Sequence, residues 1–285
     1  MQLSVVIITF NEEANIGRTL ESVQPLVSDG KGEIVVVDSG STDRTVEIAT
    51  SHGAKVFVEA WKGYAAQKNS ALEKASGDWV LSLDADETVD SELIRELTAC
   101  ADDSPPIPKS AHEWCLTMRN TGNLDTVKGA PIGFLIRRKN FFLGRWVQHG
   151  GFWPDPKLRL FHSGVGRFEE RAVHEDLRVE GRTKLIPSGS LLHHSYPTLS
   201  DYIDHMNRYS SLGAEMVVAT GKLRFSFINI VLRPLFTFIY NYFFRLGFLD
   251  GREGLLLHLY HAIYVSWKYA KAWELSRDGK EQTET

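Results

Sequence analysis

Two aspartates that follow an apolar run, Asp84 and Asp86, have the residue type and spacing to bind one divalent cation. The run begins at Trp79 and ends in Asp84-Ala85-Asp86-Glu87-Thr88, so a buried parallel strand would deliver both carboxylates to its C-terminal end. Open α/β sheets bind their ligands at that end. Mg²⁺ and Mn²⁺ prefer oxygen ligands and usually keep positions that substrate phosphates fill. The motif is therefore a candidate site for a metal ion and a phosphate.

The motif alone is open to four interpretations. A solvated acidic turn is one, since such pairs are common at loop starts. A calcium loop of the EF-hand type is excluded, because its sixth position should be Gly and is Val89, and its twelfth should be Glu and is Arg95. The Asp-x-Asp-x-Thr order also fits haloacid-dehalogenase-like phosphatases, in which the first Asp is a phosphorylated nucleophile. The fourth interpretation is the metal-diphosphate motif of nucleotide-sugar glycosyltransferases.

The composition indicates a folded protein with an uneven charge. The 285 residues are 43% hydrophobic and 24% charged, which is ordinary for a globular protein. Cys100 and Cys115 do not have the spacing of a disulfide framework or a zinc site, and a reducing cytoplasm fits best. Residues 1–100 carry 8 Lys and Arg against 17 Asp and Glu, which is a poor surface for nucleic acid. Residues 221–280 carry 9 against 4, which suits an anionic membrane face.

Strands and helices alternate through the first hundred residues. The predicted strands are Leu3–Thr9, Glu33–Asp38, Lys55–Val58 and the run from Trp79. A helical pattern follows each of the first three, and the order predicts a doubly wound α/β unit with a mostly parallel sheet. Asn11 is expected to cap the first helix and Pro25 to end it.

Polar residues stand at three of these strand ends. They are Thr9, Asn11 and Glu12 after the first strand, Asp38 and Ser39 after the second, and Asp84 and Asp86 after the fourth. Three such ends at one edge of a parallel sheet form a pocket. The chain has neither a Gly-x-Gly-x-x-Gly after the first strand nor a Gly-x-x-x-x-Gly-Lys-Ser/Thr, so a phosphate bound here would need a metal to hold it.

Four blocks of the sequence resemble those of family 2 glycosyltransferases with the GT-A fold. The blocks are Ser4–Glu13, Val35–Asp43, Gly63–Asn69 and Gly77–Glu87. Within that family the chain resembles bacterial lipopolysaccharide-core β-1,4-glucosyltransferases over most of its length. The resemblance implies a nucleotide-sugar donor, with UDP-glucose expected, and a divalent metal, Mg²⁺ or Mn²⁺. It also implies inverting transfer of a hexose.

The resemblance also implies roles for individual residues. Thr9, Asn11, Glu12 and Asp38 are expected to contact uracil and ribose, with Lys68 and Asn69 nearby, while Asp84 faces the ribose or sugar and Asp86 holds the metal on the diphosphate. Taken singly, Thr9 and Asn11 could be caps and Lys68 part of a solvated helix face. The phosphatase interpretation loses support, because no Gly-Asp-x-x-x-Asp-like acidic pair follows residue 88.

The segment Val173-His174-Glu175-Asp176 holds the candidate general base. Displacement with inversion at an anomeric carbon needs a carboxylate to take the proton of the incoming hydroxyl. This block resembles the subgroup's sequence at the place where other family 2 enzymes have an acidic pair. Glu175 is therefore expected to be the base, with Asp176 as the alternative; the competing interpretation is a charged surface loop.

Two further features are assigned to the acceptor and the metal. Gly144–Asp155 is rich in Gly and aromatic residues, and Trp146 and Trp153 are predicted to form a platform for a sugar, against the alternative of a loop packed by its own rings. Of the adjacent His193 and His194, which face opposite sides of a strand, the resemblance favours one as a metal ligand, and His194 is preferred. The alternative for both is a satisfied core histidine.

The chain from Thr198 onward is predicted to be helical. Phe225–Leu246 is apolar and aromatic but contains Arg233 and Pro234, which argues against a membrane span and for two short amphipathic helices at a membrane interface. A hairpin packed on Leu255–Trp273, or a dimer interface, is the alternative. The polar end, Ser276–Thr285, is expected to be a disordered tail.

Three segments follow from these predictions. Residues 1–100 bind the donor, 101–197 form the acceptor side of the same catalytic domain, and 198–285 form a helical, membrane-associating extension. The predicted protein is a metal-dependent inverting glycosyltransferase that moves a hexose to a lipopolysaccharide-core or other lipid-linked acceptor at the inner face of the cytoplasmic membrane. It binds no nucleic acid, and a homo-oligomer is left open. A polyprenyl-phosphate glycosyltransferase of the same fold and a non-catalytic nucleotide-sugar-binding protein are the remaining alternatives.

Overall fold

The computed structural model describes residues 2–102, 131–169, 176–219 and 225–281. Within these residues the strands are β1 (Leu3–Thr9), β2 (Gly32–Asp38), β3 (Lys55–Val58), β4 (Trp79–Asp84), β5 (Glu87–Val89), β6 (Gly133–Phe142), β7 (Arg145–Trp146), β8 (Pro156–His162), β9 (Gly166–Glu169), β10 (Asp176–Val179) and β11 (Thr183–Tyr196). The helices are α1 (Ile16–Val27), α2 (Thr45–Ser51), α3 (Tyr64–Lys74), α4 (Ser91–Asp102), α5 (Leu199–Ala219), α6 (Arg233–Ile239) and α7 (Gly251–Glu281).

The described strands form one large mixed sheet and a separate β9–β10 ribbon. The large sheet has the order β3-β2-β1-β4-β8-β6-β11-β5, with β7 beside β6. β3, β2, β1 and β4 are parallel, and β8 runs antiparallel to β4. The α/β class predicted from the alternation of strands and helices is confirmed.

The apolar runs form parallel strands because helices cover both of their faces. Val5 and Ile7 point to the side packed by α1, where Ile16 and Leu20 are fully buried. Val6, Val35 and Val37 point to the opposite side, where they join Ala71 of α3. Neither face of β1 meets water, so the sequence has no polar alternation there.

The first helix differs from its prediction at both ends. It begins at Ile16, so the expected cap at Asn11 is wrong; Asn11 instead has a φ of 54° and hydrogen-bonds to the loop after β2. Pro25 lies inside α1, which continues to Val27. Leu26 is buried in the core beyond it, and this packing offsets the hydrogen bond that proline cannot donate.

The described residues divide into two compact units. The first comprises residues 2–102, 131–138, 155–169 and 176–193, and the second comprises 139–154, 194–219 and 225–281. The first contains α1–α4 and most of the large sheet. The predicted division of roles at residues 100 and 197 stays a prediction.

The second unit is mainly helical. Phe142, Val147, Tyr202 and Leu257 form its buried core. π-helical turns at Ile228–Leu232 and Tyr240–Phe244 flank α6, and a 3₁₀ turn at Gly247–Asp250 leads into α7. Because α7 continues to Glu281, the disordered tail predicted from Ser276 is wrong over that stretch. Within the described ranges, none of the helices combines the length and the apolar character that crossing a bilayer requires.

Candidate active site

The ends of β1, β2 and β4 bring the predicted donor-binding residues to one edge of the sheet. In the β1–β2 pair Thr9 lies opposite Asp38, and in the β1–β4 pair Ile8 lies opposite Asp84. Parallel pairing in this register ends the three strands at the same level. The convergence predicted from the sequence therefore exists in the first unit.

Asp38 organises the loop that follows β2. Its side chain is fully buried and accepts hydrogen bonds from Thr9 Oγ1 at 2.8 Å, from the backbone N–H groups of Gly40 and Ser41 at 2.9 and 2.7 Å, and from Ser41 Oγ at 2.5 Å. These four donors fill the capacity of a carboxylate. A contact from Asp38 to a nucleotide would require one of these bonds to open, and that assignment stays a prediction.

Asn11 and Glu12 extend the same loop cluster. The Asn11 N–H donates to Ser41 Oγ at 2.8 Å, and Asn11 Oδ1 accepts from the Thr42 N–H at 2.8 Å. Burial raises the pKa of Glu12, a hydrogen bond from Asn15 opposes that effect, and the charge of Asp86 raises it further. The negative charges of Asp84 and Asp86 thus act on Glu12, and a cation bound near these carboxylates would be stabilised.

Asp84 is held by two buried cations. Lys68 Nζ donates to its Oδ1 at 2.8 Å and Arg159 Nη2 to its Oδ2 at 2.5 Å. Burial alone would raise the pKa of Asp84, but the charges of Arg159 and Lys68 hold it well below its usual range. Asp84 is therefore an ionised, fixed acceptor with part of its side chain open to solvent.

Glu87 lies at the centre of this network. Its side chain is fully buried and accepts from Arg159 Nη2 at 2.7 Å, from Arg138 Nη1 at 3.2 Å and from the Asp84 N–H at 3.1 Å. Arg138 in turn makes two hydrogen bonds to Asp155. Sequence reasoning missed these groups. The local pattern offered no signal for Arg159, because the alternation of Lys157, Leu158, Arg159 and Leu160 in β8 assigns it to the polar face, whereas its side chain is buried.

Asp86 lies against a histidine, which is His193. The distance from His193 Nε2 to Asp86 Oδ2 is 3.3 Å, and the two side chains are 17% and 24% exposed. Burial alone would raise the pKa of Asp86, and the neighbouring His193 lowers it below its usual value. His194, the residue preferred from the sequence, stacks its ring on Phe141 with the ring centres 4.8 Å apart. Its assignment as a metal ligand stays a prediction.

The donor atoms at Asp86 and His193 fit a metal that also binds a substrate phosphate. A partly exposed carboxylate and an imidazole can bind one divalent cation and leave its other positions to ligands. In the described part of the chain, no group of three or more His, Cys, Asp or Glu side chains could hold a metal by itself. A cation here would depend on oxygens from the ligand.

Lys68 and Asn69 both connect α3 to β9. The Asn69 side chain makes two hydrogen bonds to the backbone of Phe168, at 2.8 and 2.9 Å. Lys68 Nζ lies 5.3 Å from the centre of the Phe168 ring. Asn69 therefore braces β9, and its predicted proximity to the nucleotide remains untested.

The two tryptophans of the predicted sugar platform pack on each other. In the second unit, the rings of Trp146 and Trp153 meet edge to face, with centroids 5.3 Å apart and an interplanar angle of 87°. Lys139 Nζ lies over the Trp146 ring at 5.1 Å from its centre. Both rings are partly exposed, so each keeps some surface for a ligand.

Of the two candidate bases, Glu175 lies outside the described residues. Asp176 begins β10, where it is exposed and pairs across the ribbon with Glu169. The choice between them stays a prediction.

Comparison with known proteins gives concordant matches. A family model described as Glycosyl transferase family 2 matches residues 4–153. The chain is 30% identical to a lipopolysaccharide core biosynthesis glycosyltransferase of Rhizobium meliloti, covering 96% of this chain and 93% of that protein. It is also 30% identical to an uncharacterized glycosyltransferase of Rickettsia typhi, over 96% of this chain and 88% of the other.

The solved structures that the chain matches include S. aureus TarS residues 1–349 in complex with UDP-GlcNAc. That match has 18% identity and a TM-score of 0.47, and it covers 98% of this chain and 92% of the other. A glucosyl-3-phosphoglycerate synthase of Mycobacterium tuberculosis, in complex with Mn²⁺, UDP and glucosyl-3-phosphoglycerate, matches 50% of this chain and 44% of the other. Its identity is 26% and its TM-score 0.30.

Proposed function

The chain belongs to glycosyltransferase family 2, and on this premise we propose that it transfers a hexose, glucose from UDP-glucose, to a lipopolysaccharide-core or other lipid-linked saccharide. Family membership makes the protein a glycosyltransferase, which excludes the phosphatase and the non-catalytic alternatives. The donor sugar, the metal and the acceptor belong to the proposal.

The observation that carries the proposal is the shared end of β1, β2 and β4. Thr9 and Asp38 lie in one register row, and Asp84 lies beside Ile8 in the next. The carboxylates of Asp84 and Asp86 thus lie at the edge where parallel sheets bind nucleotides. The loop cluster around Asn11 and Asp38 is proposed to bind the base and the ribose, with one of the hydrogen bonds to Asp38 opening when the nucleotide binds.

Asp86 and His193 would hold the cation, Mg²⁺ or Mn²⁺. When bound, the cation would supply charge neutralisation for the leaving nucleoside diphosphate. We propose His193 for this role in addition to the predicted His194, because the side chain of His193 contacts Asp86.

Asp84 is proposed to fix the donor sugar. Lys68 and Arg159 keep its carboxylate ionised, and its exposed part can accept hydrogen bonds from sugar hydroxyls. Because both cations are themselves buried, Asp84 cannot turn to another partner without breaking these two ion pairs. The network thus orients the sugar for displacement.

The acceptor side is proposed to consist of Glu175, Trp146 and Trp153. Glu175 removes the proton from the acceptor hydroxyl as the new glycosidic bond forms and the bond from the anomeric carbon to the diphosphate breaks. Asp176 is the alternative base. The tryptophans present apolar ring faces to the acceptor saccharide. The name of the R. meliloti relative supports a lipopolysaccharide-core acceptor, which would place the enzyme at the cytoplasmic face of the membrane.

Thermal unfolding in the presence of nucleotide sugars tests the proposal. UDP-glucose with Mn²⁺ should raise the melting temperature by mass action, and more than UDP-galactose or UDP-N-acetylglucosamine does. Asp86→Ala should remove the Mn²⁺-dependent part of the shift. Asp204→Ala, which changes an exposed aspartate on α5, should leave it intact. No stabilisation by any UDP-sugar, or an unchanged shift in Asp86→Ala, would contradict the assignment.

A further inference from the structure

Two rows of apolar side chains are exposed along the helical segment that contains α6. One row is Ile228, Leu232, Phe236, Tyr240 and Phe244, and the other is Phe227, Val231, Leu235, Ile239 and Phe243. These side chains are between 37% and 74% exposed, with Phe236 and Phe244 at 66% and 74%. So many large apolar residues on one stretch of surface mark an interaction site.

The mixed helical geometry keeps both rows on one face. In an α-helix, four residues exceed the 3.6 of a turn, so a row spaced by four drifts by about 40° at each step. A π-helical turn closes i→i+5 hydrogen bonds and rotates less per residue, so a row spaced by four residues drifts in the opposite direction around the helix axis there. Here α6 lies between two π-helical turns, Ile228–Leu232 and Tyr240–Phe244. The two drifts oppose each other, and the rows stay aligned.

Other contacts of this segment are made with α7. Ser266 Oγ donates to the Ile230 carbonyl at 2.8 Å, and the rings of Phe225 and Trp273 meet at 5.3 Å. The exposed rows are the face that this packing does not cover. The turn that follows extends the apolar surface, because Leu246, Phe248 and Leu249 are 43–50% exposed. We call the two rows and these three residues the apolar face.

The charge on this stretch is of one sign. Arg233 and Arg245 are exposed among the apolar residues, and residues 225–249 contain no Asp or Glu. Anionic lipid headgroups complement such a surface. A second copy of the chain docked on it by two-fold symmetry would bring like charges together. The charge therefore favours a lipid surface over a dimer.

Hydrogen bonds connect the aromatic loop, which carries Trp146 and Trp153, to the C-terminal end of the apolar face. Asp250 is 2% exposed and accepts from the N–H groups of Gln148 and His149, the latter at 2.8 Å, and from His149 Nδ1 at 3.0 Å. The Gly150 N–H donates to the Arg245 carbonyl at 2.9 Å. A side chain at Gly150 would overlap the buried ring of His258, so the joint is tightly packed.

We infer that the apolar face docks on an anionic lipid surface and that Asp250 holds the aromatic loop at that surface. This inference rests on the proposed function in one respect, namely that the loop receives a saccharide carried by a lipid. Docking then brings Trp146 and Trp153 to the depth at which the sugar of a lipid-linked acceptor lies. The aromatic loop is thereby positioned at the bilayer surface before any acceptor binds.

Vesicle co-sedimentation tests the docking. The full chain should bind vesicles of phosphatidylglycerol and phosphatidylcholine more tightly than vesicles of phosphatidylcholine alone. Phe236→Ser/Phe244→Ser should weaken binding about a hundredfold, the order expected when two phenyl rings no longer leave water. Met216→Ser/Leu275→Ser changes two residues that are each 42% exposed on other helices, and it should bind as the wild type does. Equal binding by both double variants would overturn the inference.

Fluorescence quenching tests the position of the loop. Vesicles with nitroxide-labelled lipid should quench the wild-type tryptophan emission more than that of Trp146→Phe/Trp153→Phe, because two of the seven tryptophans lie at the interface. Equal fractional quenching in the two proteins would show that the loop is away from the lipid. The remaining outcome is a wild type that is a dimer in lipid-free solution and a Phe236→Ser/Phe244→Ser variant that is a monomer, with equal vesicle binding by the two proteins. That result would show that the apolar face binds a second copy of the chain and not lipid.

The same variants separate this inference from the proposed function. Phe236→Ser/Phe244→Ser should keep the wild-type melting temperature and the stabilisation by UDP-glucose and Mn²⁺. If this variant keeps the stabilisation by UDP-glucose and binds vesicles as tightly as the wild type, the docking inference is wrong while the proposed function stands. If no protein responds to a UDP-sugar, the proposed function fails, whatever the vesicles show.

Discussion

Replacing Arg159 by Met should destabilise the protein strongly, because this guanidinium joins two acidic side chains. Arg159 is 6% exposed and donates to both Asp84 and Glu87. Methionine fills a similar volume but leaves the fully buried Glu87 with a weaker set of partners. Burying a charge without its counter-charge is among the largest single effects on stability.

The expected loss of unfolding free energy depends on the contacts that Glu87 and Asp84 keep. Removing one partner of a buried ion pair costs about 3–5 kcal/mol. Glu87 keeps the hydrogen bond from Arg138 at 3.2 Å, and Asp84 keeps Lys68 at 2.8 Å, so the lower end applies. A loss of about 3 kcal/mol corresponds to a fall in melting temperature of about 6–12 °C for a chain of roughly this size.

Thermal and urea unfolding of matched variants measure this effect. Arg178→Met is the control, since Arg178 pairs with Glu169 at 3.2 Å on the surface, and its loss should change stability by less than about 1 kcal/mol. The double variant Glu87→Met/Arg159→Met should recover much of the loss, because it removes the buried charge as well as its partner. A melting temperature of Arg159→Met within a degree of wild type, or losses that simply add in the double variant, would show that Arg159 does not stabilise the protein by neutralising Glu87.

Three further changes have definite expected outcomes. Gly189→Ala should cost more than Gly30→Ala in unfolding experiments: both glycines have a positive φ, but a Cβ at 189 would lie 2.3 Å from the backbone nitrogen of Leu93, whereas at 30 it meets nothing within 4 Å. Hydrogen bonds from Lys55 and from serines outweigh burial and lower the pKa of Glu33 to about 2, so its stabilisation is present above pH 4.5 and disappears as the pH falls toward 2. The difference in unfolding free energy between wild type and Glu33→Gln should shrink over that pH range, and a constant difference would exclude this origin. Glu175→Gln should lower the rate of hexose transfer by about 10²–10⁴-fold in a kinetic assay while UDP-sugar binding persists; an unchanged rate would move the base to Asp176 or remove the need for one.

The sequence was sufficient for the parts of the site that depend on strand ends. Thr9, Asp38 and Asp84 follow apolar runs, and parallel pairing necessarily brings such ends to one edge. The α/β order and the family could be recognised for the same reason. Local pattern and sheet geometry agree there, so no long-range information was needed.

The rest of the site depends on contacts between residues distant in sequence. Arg159 reaches Asp84 across 75 positions, and no periodicity predicts which acid a buried arginine will meet. The contact between His193 and Asp86 follows from the register of β11 on β5, which places His193 opposite Glu87. A shift of one residue would have exchanged the two histidines, and the sequence does not encode that register in any local signal.

The end of α7 illustrates a different limit. Ser276 and the polar residues after it were expected to be disordered, since composition favours a solvated tail. The helix continues through them to Glu281, as an extension of a long helix whose earlier turns are packed against α5 and the segment around α6. Tertiary packing upstream has prolonged the helix past the point at which composition alone would end it.

Anomalous diffraction from crystals soaked with Mn²⁺ and UDP would locate the metal and the nucleotide in one experiment. We expect one Mn²⁺ peak bonded to an Asp86 oxygen and to His193, with the diphosphate completing its coordination and the uridine among Thr9, Asn11 and Asp38. A peak at another site, or UDP bound away from the ends of β1, β2 and β4, would contradict this expectation.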